Sequence, residues 1–179
     1  MSLIDLQPWS EENLSLLERL NTPEMTKFLG GPESKEQLLR RHSRYLEAAA
    51  SPTTRVFKIV YSSDLIPVGQ VCYWERSWRD QLVWESGWGV LPAYQGQGVA
   101  SQALTLLLER AGSERKHRFL HAFPSIENGA SNALCRKLGF VKIEECDFEY
   151  PPGHRMRCND WQIDLFNGNV SPTYRRKKS

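Results

Sequence analysis

The sequence has little of what marks several large protein classes. No apolar run approaches the roughly 20 residues that a membrane-spanning helix needs, which argues against a membrane protein. The opening residues Met1-Ser2-Leu3-Ile4-Asp5 show no basic stretch followed by an apolar one. No secretory signal is read there, and a cytoplasmic location is expected. Without that signal, Asn13-Leu14-Ser15 and Asn169-Val170-Ser171 are chance matches to the glycosylation triplet. Cysteine is scarce. The four residues Cys72, Cys135, Cys146 and Cys158 form no C-x-x-C pair. None is spaced as a zinc ligand with His42, His117, His121 or His154. They read as reduced, partly buried thiols, and no metal is expected.

Charge of one sign is also missing, with a formal net charge of +2. The dense basic runs are Arg40-Arg41-His42-Ser43-Arg44 and the tail Arg175-Arg176-Lys177-Lys178. Neither interleaves with aromatics in a way that reads bases, so no nucleic-acid partner is expected. The first run reads as the solvated face of a helix, or as a basic rim guiding a phosphate-rich cofactor or an acidic acceptor. The tail, residues 168–179, is expected to be disordered.

What is present is an ordinary globular mixture: 179 residues, 40% apolar and 25% charged. That is one domain, large enough to bury a core. Ile4 to Pro8 reads as a first strand. Ser10-Glu11-Glu12 opens a helix whose apolar face is Leu14, Leu16, Leu17 and Leu20. Phe28 to Ser34 is a turn, and Lys35 to Ala50 a longer helix. Arg55–Tyr61, Ile66–Trp74 and Leu82–Val90 read as an antiparallel meander. In this reading Ser62-Ser63-Asp64 and Glu75 to Asp80 are its connections. A helix from Gly98 to Ala111 buries Val99, Ala103, Leu104, Leu107, Leu108 and Ala111 at helical spacing. Arg118–Phe123 reads as a short strand and Asn128–Lys137 as a last helix. Phe140–Ile143, Phe148–Tyr150 and Asp160–Leu165 read as closing strands.

The informative stretch is Val90-Leu91-Pro92-Ala93-Tyr94-Gln95-Gly96-Gln97-Gly98-Val99-Ala100, a strand end, a proline turn and a glycine loop entering a helix. Such a loop lets backbone approach a ligand closely, and the first N–H groups of the helix lack internal partners. Together they suit a diphosphate. A P-loop would need a Gly-Lys-Ser/Thr run, which does not occur. A dinucleotide fingerprint would need a third glycine where Ser101 stands. The remaining pattern, Gln/Arg-x-x-Gly-x-Gly/Ala, is met by Gln95, Gly98 and Ala100.

Gln95 to Ala100 resembles the acetyl-CoA signature of the GNAT superfamily. Trp84-Glu85-Ser86-Gly87-Trp88-Gly89-Val90 looks like the family's fourth strand. Asn128 to Leu134 with Lys137-Leu138-Gly139-Phe140 resembles its second cofactor segment. Order and spacing resemble the branch holding the ribosomal-protein N-terminal acetyltransferases, as does Phe28-Leu29-Gly30-Gly31-Pro32. The resemblance implies an α+β GNAT domain over residues 1–167. Its mixed, mostly antiparallel sheet would splay between strands 4 and 5 and be flanked by helices.

Several site assignments follow from this likeness. Backbone groups of Val90, Leu91 and Pro92 lie at the pantetheine arm of acetyl-CoA. The N–H groups of Gln95, Gly96, Gln97, Gly98, Val99 and Ala100 lie at the diphosphate, and Asn128 at the arm. The reaction implied is direct acetyl transfer to a primary amine in a ternary complex, the acceptor being a small molecule or a protein N-terminus. Detoxification of an amine-bearing antibiotic, or acyl-CoA binding without chemistry, stands as the alternative. The family's habit of pairing through edge strands gives a homodimer as an expectation.

Proton transfer is less determined. An alkyl ammonium must lose a proton before it can attack, and a buried carboxylate can take it. Glu85 is the candidate, either as that base or as a group fixing strand geometry. Some relatives carry a tyrosine as proton donor seven residues after the Asn128 position. Here Cys135 stands there, a weak acid or a packing residue. His121 and Tyr94 are the fallback bases. Trp78, read in a connection, is a candidate for lining the acceptor cavity. The acceptor region, about Thr22 to Ala49, has no acidic cluster suited to a polycation.

Overall fold

The structure, a computed structural model, describes residues 3–167. Its sheet has the order β1-β2-β3-β4-β5-β7-β6. The strands are β1 (Ile4–Pro8), β2 (Thr54–Tyr61), β3 (Pro67–Trp78), β4 (Gln81–Val90), β5 (Phe119–Ala122), β6 (Val141–Glu149) and β7 (Arg155–Asp164). The helices are α1 (Leu14–Leu20), α2 (Lys35–Glu47), α3 (Val99–Ser113) and α4 (Gly129–Lys137). Neighbouring strands run antiparallel except β4 and β5, which are parallel. No helix among the described residues is long and apolar enough to cross a membrane. The expected disorder of residues 168–179 lies outside the described residues.

Each face of the sheet has its own core. On one, α3 packs Val99, Ala103, Leu104, Leu107 and Leu108 against Tyr73, Trp84 and Leu120. The α3 residues are the set its periodicity singles out, and burying each such leucine contributes about 1.5–3 kcal/mol. On the other, Leu16, Leu17 and Leu20 of α1 and Leu38 of α2 cover Val56 and Cys72. The start of α2 is set by a reciprocal cap. Ser34 Oγ accepts from the Gln37 N–H, and Gln37 Oε1 accepts from the Ser34 N–H at 2.8 Å.

Two expectations need correction. β3 does not stop at Trp74. It runs to Trp78 and turns at Arg79-Asp80, both with positive φ, as a two-residue hairpin requires. The charged residues Glu75 and Arg76 mimic a loop in sequence. Each meets an opposite charge from a neighbouring segment, Glu75 pairing with His117 and Lys116 and Arg76 with Glu85. The closing strands are two long ones, not three short ones. β6 is an edge strand that buries only Cys146 and Phe148, so its polar residues hid its continuity.

β4 and β5 share only the register pairs Trp84–Leu120 and Glu85–His121, yet β4 continues to Val90. The chain after β5 is drawn the other way. The Asn159 N–H donates to the Pro124 carbonyl and the Ile126 N–H to the Arg157 carbonyl, each at 3.0 Å. Asn132 of α4 locks this course. Its Nδ2 donates to the Ser125 and Asn128 carbonyls, both at 2.8 Å. Its Oδ1 accepts from Asn159 Nδ2 at 2.7 Å and Trp161 Nε1 at 2.8 Å. All four bonds are buried or partly buried, so a substitution strands several polar groups at once. Asn132→Leu should cost about 3 kcal/mol or more, read as a lower urea midpoint. Asn132→Asp should lose less, because it keeps the acceptor.

Candidate active site

The wedge between β4 and β5 organises the site. The Leu91 N–H donates to the Val68 carbonyl at 2.8 Å, and antiparallel ladders alternate. Odd-numbered residues at this end of β4 therefore bond to β3, while the peptide groups of Trp88 and Val90 face the opening. Beyond β4, a turn of 3-10 helix (Pro92–Tyr94) leads into the glycine loop. The loop is braced by its own side chains. Gln95 Nε2 donates to the Val90 carbonyl at 2.8 Å, and Gln97 Nε2 to the Ala93 carbonyl at 3.0 Å. Tyr61 Oη donates to Gln97 Oε1 at 2.9 Å.

Gly98 caps α3 with φ of 83°, a left-handed conformation that disfavours other residues. A Cβ built there would meet only Gln102 Nε2, at 3.9 Å, so the protein leaves the space over this peptide free. The first bond of α3 outside its interior is Gln102 N–H to the Gly98 carbonyl. The Gln95 N–H, expected at the diphosphate, is instead spent on the Pro92 carbonyl at 3.2 Å; among the described residues, the N–H groups of Gly96 through Ala100 make no backbone hydrogen bond outside a helix. The loop is thus a set of unspent donors at the positive end of a 15-residue helix. The Leu91 N–H is spent in the sheet and Pro92 has none, so of these three residues Val90 supplies the N–H facing the wedge. Asn128 caps α4, its Oδ1 accepting from the Ser131 N–H at 3.1 Å, which leaves its amide NH₂ as a donor. These observations fit a diphosphate and an amide-bearing arm.

The opposite side of β4 carries Glu85, Gly87 and Gly89. A Cβ on Gly87 would lie 3.4 Å from the Trp74 ring, and one on Gly89 would lie 3.6 Å from Leu20. This is therefore the face under α1. At 87 and 89 the strand carries no side chain of its own, and Trp74 closes over Gly87 and Leu20, Gln70 and Met25 over Gly89. Gln70 lies over Gly89, and its buried Oε1 has no donor among the described residues.

Glu85 is 6% exposed and accepts a 2.6 Å ion-paired bond from Arg76 Nη1. Burial raises its pKa above the ordinary carboxylate value, against the opposing pull of Arg76. His121, its neighbour across the parallel pair, has both ring nitrogens engaged. Nδ1 bonds Asp160 Oδ1 at 2.6 Å, and Nε2 lies 3.1 Å from Gln162 Nε2. Asp160 thus holds the Nδ1–H tautomer, and Nε2 accepts from Gln162, which leaves no free lone pair for a substrate proton. Tyr94 packs against the Tyr61 ring, 5.5 Å between centroids. Cys135 is fully buried, and burial pushes its thiol up to about 12. It is a packing residue of the α3 core and a poor acid.

Trp78 does not sit in a connection as read from sequence. At the end of β3 its Nε1 donates to Asp160 Oδ2 at 2.9 Å. Its ring packs edge-on against Phe123, 4.8 Å between centroids. Sequence reasoning also missed Arg76, taken for a loop residue, and Asp160, taken as an ordinary strand start. The alternation of β3 would have placed Arg76 beside Glu85 had the hairpin turn been read at Arg79-Asp80.

A profile of the acetyltransferase (GNAT) domain matches residues 4–141. The chain belongs to the GNAT acetyltransferase family. Solved structures with this GNAT fold are similar over 92% of the chain. An acetyltransferase from Bacillus anthracis matches over 96% of its own length, at 17% identity and a TM-score of 0.73. The Salmonella typhimurium enzyme that modifies the N-terminal serine of 50S ribosomal protein L7/L12 matches over 96% of its length, at 17% identity and 0.74. The Vibrio cholerae spermidine N-acetyltransferase, solved with CoA and spermine, matches over 97% of its length, at 17% identity and 0.75. No curated protein sequence matches the chain.

The Trp78 contact is open to test. Trp78→Phe keeps the ring packing and removes one of the two donors to a buried carboxylate. Stability should fall by about 1–3 kcal/mol, read by denaturant unfolding. A stability unchanged from the parent would show that the Asp160 contact carries no weight.

Proposed function

We propose that this GNAT enzyme transfers the acetyl group of acetyl-CoA to a primary amine, by direct attack within a ternary complex. The observation that carries the reading is the wedge itself. It brings unspent loop donors on one side and a buried carboxylate on the other to one strand, β4. When bound, acetyl-CoA supplies an activated acetyl thioester. The N–H groups from Gly96 to Ala100 hold the diphosphate, and the peptide groups of Val90 with the Asn128 amide hold the arm.

The acceptor amine approaches on the Glu85 side of β4. Glu85, paired with Arg76, takes its proton directly or through a water. The new N–C bond forms as C–S breaks, and the proton ends on the departing thiolate, by way of solvent or Glu85. Cys135 takes no part in that last step.

Two outcomes test this. Gly98→Val adds a side chain over the donor loop and strains its left-handed backbone. Calorimetry should show acetyl-CoA affinity reduced by about tenfold or more in a protein that still unfolds cooperatively. Unchanged affinity would move the diphosphate elsewhere.

Glu85→Gln keeps shape and removes the base. The chemical step should slow by roughly 10²–10⁴-fold with acetyl-CoA affinity nearly unchanged. The defect should shrink at high pH, where the amine arrives deprotonated. Because burial raises the Glu85 pKa, the parent rate should fall on acidification at a pH above the ordinary carboxylate value. A defect that persists at high pH would make Glu85 structural.

A further inference from the structure

The far end of the β3–β4 hairpin leans across the sheet. Arg79 at its turn pairs with Glu144 of β6, and Trp78 donates to Asp160 of β7. Arg76 makes a further contact, and it is made to rings. Its guanidinium carbon lies 5.5 Å from the centre of the Trp78 ring, 5.5 Å from that of Phe123 and 4.5 Å from that of Phe148. The rings come from β3, from the segment after β5 and from β6. They also pack on one another. Phe123 stacks on Phe148 and meets Trp78 edge-on, each at 4.8 Å between centroids. A guanidinium is planar and weakly hydrated, so it settles on ring faces where an ammonium would keep its water.

Little else holds this guanidinium. Its Nη1 gives the 2.6 Å bond to Glu85 Oε2, and its Nε is buried with no acceptor among the described residues. The rings therefore decide where the positive charge stands, and the charge decides how Glu85 is held. On β5, His121 faces Glu85 across the parallel pair, with its Nδ1 bonded to Asp160 of β7. On β3 and β7 the nearby thiols are Cys72 and Cys158. Burial pushes each of them up to about 12, so both are neutral at pH 7 and compete with Arg76 for nothing.

We propose that Phe148 is a positioning residue for the acetyl transfer. From the edge strand β6 it closes the cage of Trp78, Phe123 and itself on Arg76, and so fixes the Glu85 carboxylate beside the wedge. It touches neither acetyl-CoA nor the amine and acts through Arg76. This rests on the acetyltransferase reading with Glu85 as base, and adds the device that holds the base.

The clamp is read by carboxyl NMR of protein labelled with ¹³C-glutamate, the Glu85 resonance being the one lost in Glu85→Gln. Burial raises the pKa of this carboxyl and Arg76 opposes the rise. Opening the cage weakens the opposition, so the titration midpoint moves further up. Phe148→Leu keeps an apolar side chain against Cys146 and Cys158 and removes one ring face. Its midpoint should rise by about half a pH unit, the worth of one cation–π contact. Arg76→Lys keeps the charge but not the fit to the rings, and its midpoint should rise as well. Phe148→Tyr keeps the face and should titrate as the parent does. The acid limb of CoA release from acetyl-CoA with alaninamide should move with the midpoint, and in Glu85→Gln the Phe148→Leu change should move no limb. A midpoint unmoved in both Phe148→Leu and Arg76→Lys overturns the clamp. So does an equal rise in Phe148→Tyr, which would trace the effect to a general loosening of β6. A midpoint that rises while the limb stays shows the clamp acting on a carboxylate that is not the base, and then it is the wider reading that fails. The titration needs no acceptor, so it decides the clamp whichever amine the enzyme takes.

Discussion

The structure depends on a competition for the backbone that follows β5. That segment can continue its ladder with β4 or turn to β7, and β7 wins through the carbonyls of Pro124 and Arg157. Asn132 makes the choice firm by tying α4, the segment and β7 into one buried network. β4 is left with peptide groups that no strand satisfies. In an ordinary sheet such a gap would be a defect. Here it lies between two helix N-termini, where a ligand rich in acceptors can complete it.

The two faces of β4 then divide the work by simple alternation. Even-numbered residues send large side chains, Trp84 and Val90, into the α3 core and fix the strand. Odd-numbered residues beyond Glu85 are glycines, which let Trp74 and Leu20 pack down onto the other face. Glu85 is the last odd-numbered residue of β4 that is paired on both sides, with β3 and with β5. It is rigid because it is paired, and near the chemistry because pairing ends with it. Burial raises the Glu85 pKa above the ordinary carboxylate value, and the ion pair with Arg76 opposes that rise without cancelling it.

Much of this was legible in sequence, though unevenly. The helices α2, α3 and α4 follow from apolar spacing and their caps, and the glycine loop from its pattern. The wedge is invisible to periodicity, since it depends on β5 and β7 meeting across 40 residues of chain. Only the resemblance carried it. Errors fell where charge was satisfied out of sight. Glu75 and Arg76 read as loop because their partners lie on other segments, and β6 broke into pieces because an edge strand needs few apolar residues. Asn132 carries no mark in the sequence, since a mid-helix asparagine announces nothing until its four partners are known.

The donor loop acts through peptide groups, which every residue carries. Its demands on side chains reduce to left-handed glycines at 96 and 98 and the two glutamine braces at 95 and 97. A site written in backbone is nearly silent to substitution, so drift can rewrite the surrounding text and leave the site working. That is how a fold shared over 92% of this chain coexists with 17% identity to its neighbours. The walls around the incoming amine are built from side chains of loops, and there each change of letter changes the meaning.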